Sequence, residues 1–335
     1  MSYNLKFFNE FASIGNLHAA WKKFRSGKSD RPDVIVFERH LESELTKLSE
    51  ELLAGTYVHG DYHKFFVRDP KYREIHKATV RDRVVHQAIY SILYPIFDQR
   101  FFFDSYSCRL NKGTQAAIAK IWQYIRKESK NFNREVYVFH GDVDTFFACV
   151  DHNILFRFLT RKIRDWKYLS LCKRIIISYN PEKVKGIPLG NLTSQIFANV
   201  YLHELDYFIK QKLGIASYVR YNDDFFVVSA DKDFLIKLSL EIKEFLMLKL
   251  KLSLPEDKII IRSLSQGIDI LGAVAFPYGL VPRKRLRVAA LKVADKAKKL
   301  GYNSYVAKQL SSYIGLLSQT KSFLLKEKLR LSISN

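Results

Sequence analysis

Two short stretches of this 335-residue chain place acidic side chains directly after apolar, strand-like runs. The first stretch is HGDVDTFF, with Asp142 and Asp144, and the second is YNDDFF, with Asp223 and Asp224. Adjacent carboxylates repel one another, and apolar flanks strengthen the repulsion. Turn formation alone would explain one such Asp, because Asp is common in hairpin loops. Two clusters in one chain favour a divalent-metal site, since bound cations neutralise the carboxylates.

The second cluster lies at the tip of a predicted hairpin. Residues 218–221 and 225–228 are β-rich, and Asn222 and Asp223 between them tolerate the positive φ of a two-residue turn. If the strand that ends near Asp142 pairs with this hairpin, Asp142 and Asp223 converge at one edge of the sheet. Two Mg²⁺ ions held there would support phosphoryl transfer, because they stabilise both the attacking and the leaving oxygen.

The overall charge indicates a nucleic-acid partner. The formal net charge is +21, from 55 Lys and Arg against 34 Asp and Glu, and the isoelectric point is about 9.7. A generally basic proteome is the alternative explanation, since net charge is only a weak guide to function.

The compartment is predicted from cysteine usage and from the absence of an apolar leader. The three cysteines are widely spaced, which argues against a disulfide framework or a zinc ribbon and fits a reducing compartment. The N-terminal residues lack a continuous apolar segment, and no run reaches about 18 apolar residues. We therefore expect a cytoplasmic protein, encoded by a bacterium or a phage, with no membrane span.

Interleaved helix and strand patterns predict an α+β fold. The sequence favours a helix over 41–53 that stops at Gly55, and a long helix over 193–213 capped by Asn191 or Thr193. The other predicted elements are a strand–turn–strand and helix over 61–97, a strand and polar turn over 136–147, a helix running into a strand over 241–254, and basic helices after residue 281.

Several blocks in order along the chain resemble reverse transcriptases. YNDDF resembles the Y-x-D-D box, DVDTFF resembles motif A, and GIPLGNLTSQIFANVYLHELD resembles motif B. RDRVVHQAI and DSYSCRLNKGTQAA resemble blocks shared with group II intron and retron enzymes, and GIDILGAVAF resembles the block after the catalytic hairpin. The resemblance covers roughly residues 60–280. It implies a right-hand polymerase architecture with fingers, a palm built on an antiparallel sheet, and a short helical thumb.

The resemblance also divides the chain. It implies an N-terminal segment and fingers over 1–110, a first palm part over 111–149, a return to the fingers over 150–188, a second palm part with the YNDD hairpin over 189–278, and a helical thumb over 279–335.

Motif B departs from the common pattern in an informative way. Leu189 stands where most of these enzymes carry Gln, and Ser194-Gln195 stands where they carry Ser-Pro. The string GNLTSQ resembles the reverse transcriptases of diversity-generating retroelements. That resemblance implies copying of a template-repeat RNA into cDNA with errors at adenines, and work with a small basic accessory protein. Another bacterial reverse transcriptase, of retron or phage-defence type, and an inactive RNA-binding scaffold are the alternatives.

The resemblance assigns the catalytic positions. It implies that Asp142 and Asp223 bind two Mg²⁺ ions with the Val143 carbonyl, and that Asp224 supports the site. Lys258 resembles the motif D lysine that protonates the leaving pyrophosphate, although a strand-edge lysine is an equal alternative. Asp144 is either a functional residue or a solvated turn residue.

The positions expected to bind the incoming dNTP lie in several blocks. Phe147 matches a ring that excludes a ribose 2′-OH, with a plain core Phe as the alternative. Arg73, followed by Arg81 and Lys71, is the candidate for the triphosphate, because guanidinium and ammonium groups pair with phosphate. Arg83 is either a further candidate or a structural residue paired with a palm carboxylate.

The last expected contacts are to the forming base pair and the duplex. Leu189, Gly190, Asn191 and Gln195 are expected to line the base pair, and Leu189 is expected to lower fidelity because it lacks the amide that Gln offers. A basic group of thumb residues is expected to bind the phosphates of the duplex that the primer or cDNA forms with the template RNA. These residues are Arg283, Lys284, Arg285 and Arg287.

Overall fold

The computed structural model describes residues 8–68, 72–179, 184–300, 304–318 and 320–331. The elements up to residue 178 are α1 (Phe8–Phe11), α2 (Ile14–Arg25), α3 (Pro32–Arg39), α4 (Leu41–Ala54), β1 (His63–Arg68), β2 (Tyr72–Lys77), α5 (Val80–Asp98), α6 (Thr114–Glu128), β3 (Tyr137–Asp142), α7 (Phe146–Cys149), α8 (His152–Thr160) and α9 (Trp166–Ser178).

The remaining elements complete the described part of the chain. They are α10 (Leu192–Tyr207), β4 (Tyr218–Tyr221), β5 (Asp224–Ser229), α11 (Lys232–Leu250), β6 (Ile259–Ser263), β7 (Ile268–Ile270), β8 (Ala273–Phe276), β9 (Gly279–Pro282), α12 (Lys284–Leu300), α13 (Ser304–Leu317) and α14 (Phe323–Leu331). A π-helical turn over Phe208–Lys212 follows α10, and 3₁₀ turns cover Glu256–Lys258 and Leu264–Gln266. The α+β class predicted from the sequence is confirmed. The described residues include no helix that could span a lipid bilayer.

The chain divides into two compact units. The first comprises residues 1–102, 143–208 and 245–253, and the second comprises residues 103–142, 209–244 and 254–335. The chain passes from the second unit to the first between Asp142 and Val143, within the first acidic cluster.

The second unit contains a four-stranded antiparallel sheet in the order β4-β5-β3-β6. Its apolar side chains on one face pack on α6, and this cluster includes Val138, Phe226 and Val228 from the sheet with Ile121 and Ile125 from the helix. Because β3 and β5 are the two inner strands, both are held on each side by hydrogen bonds. Their ends are therefore well-fixed places for side chains that must keep a defined geometry.

Close packing within this sheet explains a glycine in β3. A Cβ added at Gly141 would lie 2.3 Å from Cζ of the Phe225 ring on the neighbouring strand. No real side chain fits at that distance, so the residue next to Asp142 must be glycine for β3 and β5 to pair as they do.

Two smaller parts of the second unit follow the sheet. Strands β7, β8 and β9 form an antiparallel three-stranded sheet. Helices α12, α13 and α14 pack on one another through a small apolar cluster formed by Ala290, Ala294, Ala297, Val306, Leu310, Leu317 and Leu329.

The first unit combines helices with an exposed two-stranded hairpin. Strands β1 and β2 pair in the register Val67 to Arg73, and every described residue of β1 is exposed. Helix α5 begins at Val80, where the Thr79 hydroxyl accepts a hydrogen bond from the Asp82 amide, and it packs against α2 and α10. Helix α4 ends at Gly55, which has φ of +72° as expected for a helix-terminating glycine.

One predicted element is wrong. The sequence favours a helix running into a strand over 241–254, but α11 ends at Leu250 and the next strand begins at Ile259. Lys251 adopts a left-handed φ of +51°, and the amide of Leu252 returns to the carbonyl of Leu246 at 3.0 Å. This helix-terminating turn redirects the chain, so residues 251–254 do not extend into a strand.

Candidate active site

The YNDD hairpin is a tight two-residue turn, as predicted. Tyr221 pairs with Asp224 across β4 and β5, and Asn222 has φ of +54° in the turn between them. Asn tolerates this left-handed conformation better than most residues. Asp223 therefore occupies the second turn position, with Asp224 at the first position of β5.

A buried arginine braces this turn. Arg220 is 0% exposed, and its guanidinium donates hydrogen bonds to the Asn222 carbonyl at 3.1 Å and to the Ser105 hydroxyl at 2.9 Å. The Arg220 amide also donates to the Asp104 carbonyl, and the Tyr106 amide donates to the Arg220 carbonyl. Sequence reasoning missed Arg220, although a charged residue inside an apolar strand was a visible signal.

The first acidic residue lies directly opposite the hairpin. β3 pairs with β5 so that Asp142 and Asp224 are cross-strand partners, which confirms that the two strands are neighbours. Directly opposed residues have Cβ atoms about 4.5–5.5 Å apart. The structure thus brings Asp142 next to Asp224, with Asp223 one residue before it in the turn.

Two positively polarised groups contact these carboxylates. Lys258 Nζ lies 2.8 Å from Asp142 Oδ2, and His140 Nε2 lies 2.8 Å from Asp224 Oδ1. All four side chains are partly buried, with exposures between 20% and 34%. Water therefore screens them less than it would on an open surface. The structure places Lys258 beside Asp142 in the acidic cluster, and it adds His140, which sequence reasoning missed.

The chemistry of this cluster fits a hard divalent cation. The carboxylates supply oxygen ligands. One oxygen of Asp142 already forms an ion pair with the Lys258 ammonium, so this position accommodates a cation. Among the described residues, no three His, Cys, Asp or Glu side chains are arranged as a complete metal site. Mg²⁺ does not require one, because it is usually bound through one or two carboxylates with water and substrate phosphates.

The residues after Asp142 enter the first unit. The Val143 side chain is 1% exposed, and the Asp144 amide donates to the Ser253 carbonyl at 3.1 Å. Phe147 lies in α7 and is half-buried, with its ring 5.3 Å from that of Phe146 in an edge-on arrangement. A partly exposed ring is compatible with both predicted roles of Phe147, a contact with the nucleotide sugar and simple packing.

The motif B segment is tied to the end of β2. The His76 amide donates to the Leu189 carbonyl at 3.0 Å. The Asn191 side chain accepts from the Ala78 amide at 3.2 Å and donates to the His76 carbonyl at 2.7 Å. Asn191 is 2% exposed and precedes α10, but its side chain makes no helix-capping hydrogen bond. The expected capping role of Asn191 is therefore wrong, because its amide bonds to a different segment instead.

Gly190 permits this close approach. Its φ is +110°, and a Cβ at this position would lie 2.6 Å from Cγ2 of Ile75 in β2. Both the backbone conformation and the lack of space require glycine here.

A basic cavity of about 330 Å³ lies in the first unit beside motif B. Gly190, Asn191 and Gln195 line it, so it brings three of the predicted nucleotide-binding residues together. Four cationic side chains also line it, and they are Lys28, Arg31, Lys77 and Arg83.

The charge of this cavity is only partly balanced. Asp33 pairs with both Lys77 and Arg83. Burial, and then the nearby charges of Arg31 and Arg83, lower the pKa of Lys28. Such an excess of positive charge suits a phosphate group. Sequence reasoning missed Lys28 and Arg31 because they lie in the segment between α2 and α3, far along the chain from motif B.

The predicted triphosphate ligands occupy different environments. Arg73 is exposed on β2, whereas Arg81 forms an ion pair with Glu51 and lies 5.3 Å from the Tyr57 ring centroid. Lys71 lies outside the described residues. The suggested pairing of Arg83 with a palm carboxylate is wrong, since its partner is Asp33 in α3.

The predicted duplex-binding residues lie at the start of α12 and directly before it. Lys284, Arg285 and Arg287 are exposed there, while Arg283 forms an ion pair with Asp269 in β7. Three of the four predicted cations are thus on a surface that a phosphate backbone can reach.

With the geometry of the acidic cluster known, comparison with protein families decides the class. A family model described as reverse transcriptase (RNA-dependent DNA polymerase) matches residues 67–302. The chain belongs to the reverse transcriptase family. It is therefore an RNA-directed DNA polymerase, and the predicted enzyme class is confirmed. The matched region includes the YNDD hairpin, β3 and motif B.

Individual relatives are distant. The chain is 24% identical to protein YkfC of Escherichia coli over 79% of this chain and 78% of YkfC. It is also 24% identical to the group II intron-encoded protein LtrA of Lactococcus lactis, where the match spans 79% of this chain and 54% of LtrA. The chain thus spans little more than half of the intron-encoded protein.

Solved structures support the polymerase fold. The telomerase of Candida albicans, solved with a fragment of telomeric RNA, aligns over 90% of this chain and 61% of that chain with a TM-score of 0.53 at 11% identity. The apo telomerase of Candida tropicalis aligns over 75% of this chain and 60% of that chain with a TM-score of 0.50 at 12% identity. At these identities the likeness concerns the fold alone, and it confirms the predicted polymerase architecture.

Proposed function

We propose that this reverse transcriptase copies a template-repeat RNA into adenine-mutagenised cDNA within a diversity-generating retroelement. The observation that carries the proposal is the motif B string GNLTSQ, with Leu189 in place of Gln and Gln195 in place of Pro. The immediate partners are the template RNA and the primer or growing cDNA. A small basic accessory protein and a cytoplasmic location in a bacterium complete the proposal.

The chemical step is proposed to depend on the acidic cluster. The primer 3′-OH attacks the α-phosphate of a dNTP, and pyrophosphate leaves. Asp142, Asp223 and the Val143 carbonyl would hold two Mg²⁺ ions, and Asp224 would add negative charge. When bound, such ions lower the pKa of the attacking hydroxyl and neutralise charge on the phosphates. The register of β3 and β5 supports this assignment, because it places two of these carboxylates on adjacent strands.

Lys258 is proposed as the proton donor to pyrophosphate. Its Nζ lies 2.8 Å from Asp142 Oδ2, so the ammonium is held within the acidic cluster. Lys258 would leave this ion pair when Asp142 binds a cation, and its ammonium would then be free to give a proton to the negatively charged leaving group. General-acid assistance of this kind typically contributes about 10²–10⁴-fold to a rate.

Substrate selection is proposed to rest on residues of the first unit. Phe147 would reject a ribose 2′-OH, and Arg73 would contact the triphosphate, with Arg81 and Lys71 as further candidates. The basic cavity beside motif B supports phosphate binding by this unit, because it joins Gly190 and Gln195 to unbalanced cations. The exposed cations of α12 would hold the duplex through its phosphates, independently of sequence.

Leu189 is proposed to lower fidelity. An aliphatic side chain cannot hydrogen-bond the nucleotide or the template, so correct and incorrect pairs differ less in the contacts they make. The test is to copy a defined RNA with the wild type and with Leu189→Gln and to sequence the products. We expect errors concentrated at template adenines in the wild type and fewer in the variant. An unchanged error rate in the variant would contradict the role of Leu189.

The second candidate is a reverse transcriptase of retron or phage-defence type. The similarity to the group II intron-encoded protein and to YkfC is compatible with it. Faithful copying of adenines by the wild type, in the same sequencing experiment, would favour this candidate over a mutagenic retroelement. An inactive RNA-binding scaffold would yield no product at all.

A further inference from the structure

His140 is a polar residue in an otherwise apolar part of β3. It lies two positions before Asp142, so both side chains point to the same face of the strand. Its ring stacks on that of Phe226 in β5, with centroids 4.5 Å apart and planes only 9° from parallel. This stacking fixes the plane of the imidazole, so the direction in which its nitrogen atoms point is also fixed.

The imidazole points at the second carboxylate of the YNDD hairpin. Nε2 of His140 lies 2.8 Å from Oδ1 of Asp224. In a hydrogen bond between an imidazole and an ionised carboxylate, the ring N–H donates and the carboxylate oxygen accepts. Charge-assisted bonds of this length are among the stronger ones in proteins.

This bond couples the two acidic strands. Asp224 is opposite Asp142, and His140 is opposite Phe226 in the same register. A side chain from the strand of Asp142 therefore sets the orientation of the carboxylate on the neighbouring strand. With one Asp224 oxygen engaged by His140, the carboxylate cannot rotate freely away from Asp142.

We propose that His140 is a positioning residue that holds the Asp224 carboxylate in the orientation needed to bind a divalent cation together with Asp142. The proposal rests on the metal site described under the proposed function and goes beyond it, since it makes Asp224 a ligand beside Asp142 and assigns His140 the task of orienting it. Hydrogen-bonding partners of this kind commonly change metal affinity by about 10–100-fold when they are removed.

The experiment measures metal binding without polymerisation. Free Mn²⁺ is followed by electron paramagnetic resonance during titration of the full chain, with no nucleotide or nucleic acid present. His140→Phe keeps a flat ring to stack on Phe226 but removes the donor. His140→Gln restores an N–H near the position of Nε2. Tyr137→Phe is the matched control, because it removes a hydroxyl from the same strand that bonds to the exposed Glu135.

We expect His140→Phe to weaken Mn²⁺ binding about tenfold or more, and His140→Gln to recover most of that loss. Tyr137→Phe should bind Mn²⁺ like the wild type. Thermal unfolding midpoints of the four proteins should agree, since the stacked ring or a comparable side chain is retained.

Two results would overturn the proposal. One is His140→Phe binding Mn²⁺ as tightly as the wild type. The other is equal weakening in His140→Phe and His140→Gln together with lower unfolding midpoints, which would mark a purely structural role. Failure of the metal site itself is distinguishable, because the wild type would then bind no more Mn²⁺ than Asp142→Asn does.

Discussion

Asp142 and Asp224 are direct cross-strand partners in the central pair of strands of the second unit. Each has its own polar partner, Lys258 for Asp142 and His140 for Asp224. Carboxylates at this separation would repel one another strongly if left without such partners. The arrangement is therefore stable in the protein alone and still offers oxygen ligands to a cation that can compete with Lys258.

Removal of the Lys258 ammonium should affect metal binding and the rate of nucleotide incorporation in opposite directions. Lys258→Met keeps the length of the side chain but removes both the ion pair with Asp142 and the proposed proton donor. We expect Mn²⁺ to bind at least as tightly, because a competing cation is gone, while the single-turnover rate of dNTP incorporation falls about 10²-fold or more. An unchanged rate would show that Lys258 is only a strand-edge lysine.

The tight contact at Gly141 should make an added methyl group costly. In Gly141→Ala, the new Cβ meets the Phe225 ring, and two central strands must separate. We expect a loss of about 1–3 kcal/mol in the free energy of unfolding, measured by urea denaturation.

Gly15→Ala provides the matched control for this substitution. Gly15 lies in α2, and a Cβ there has no neighbour within 4 Å. Alanine has the higher helix propensity, so the control should be as stable as the wild type or slightly more so. Equal stability of the two alanine variants would contradict the packing described for β3 and β5.

Loss of the Asn191 side-chain amide should destabilise the protein at motif B. Asn191→Ala leaves the Ala78 amide and the His76 carbonyl without their buried partner. Each unsatisfied buried group costs about 1–3 kcal/mol, so the loss of both partners should lower the free energy of unfolding by roughly 2–6 kcal/mol. Gln195→Ala, at an exposed position of α10, the helix that follows Asn191, should change the free energy of unfolding by less than about 0.5 kcal/mol. A similarly small effect in Asn191→Ala would mean that the hydrogen bonds of Asn191 to His76 and Ala78 are not formed in solution.

Low pH should destabilise the first unit, because protonation of Asp33 removes its ion pairs with Lys77 and Arg83. Burial raises the pKa of this carboxyl, but hydrogen bonds and charge from Lys77 and Arg83 outweigh burial and place the pKa below its usual range. The unfolded chain, with an ordinary Asp pKa of about 3.9, then binds a proton more readily than the folded one. The contribution of Asp33 to the free energy of unfolding is complete above the unfolded pKa. It is lost as the pH falls through the lower pKa of the folded protein.

This linkage is measured by urea unfolding as a function of pH. The difference in unfolding free energy between the wild type and Asp33→Asn should be constant above about pH 5 and shrink toward more acid pH. A difference that stays constant throughout the acid range would contradict the proposed ion pairs of Asp33.

The sequence predicts local features of the site well because those features depend on neighbouring residues. Asn222 and Asp223 signal a tight turn, and Gly55 signals a helix end, whatever the rest of the chain does. The pairing of the strand before Asp142 with the YNDD hairpin was predictable because both carry carboxylates that need a shared cation.

Partners distant in sequence could not be predicted in this way. The Asn191 side chain could cap α10, but it forms hydrogen bonds at the end of β2 instead. The local sequence does not distinguish a capping amide from one that bonds to a distant segment. Arg83 pairs with Asp33, which is 50 positions away. Lys28 and Arg31 line one cavity with motif B because the helices on either side of them, α2 and α3, both pack on α5. Such choices are made by tertiary packing, which propensity and periodicity do not encode.

The central claim is that carboxylates on β3 and on the YNDD hairpin carry out nucleotide addition. Its most direct test is primer extension on an RNA template with Mg²⁺ and dNTPs, comparing the wild type with Asp142→Asn, Asp223→Asn and the exposed control Asp233→Asn. The account predicts extension by the wild type and the control, and a loss of at least about 10³-fold in both active-site variants. Extension by Asp142→Asn or Asp223→Asn at the wild-type rate would contradict it.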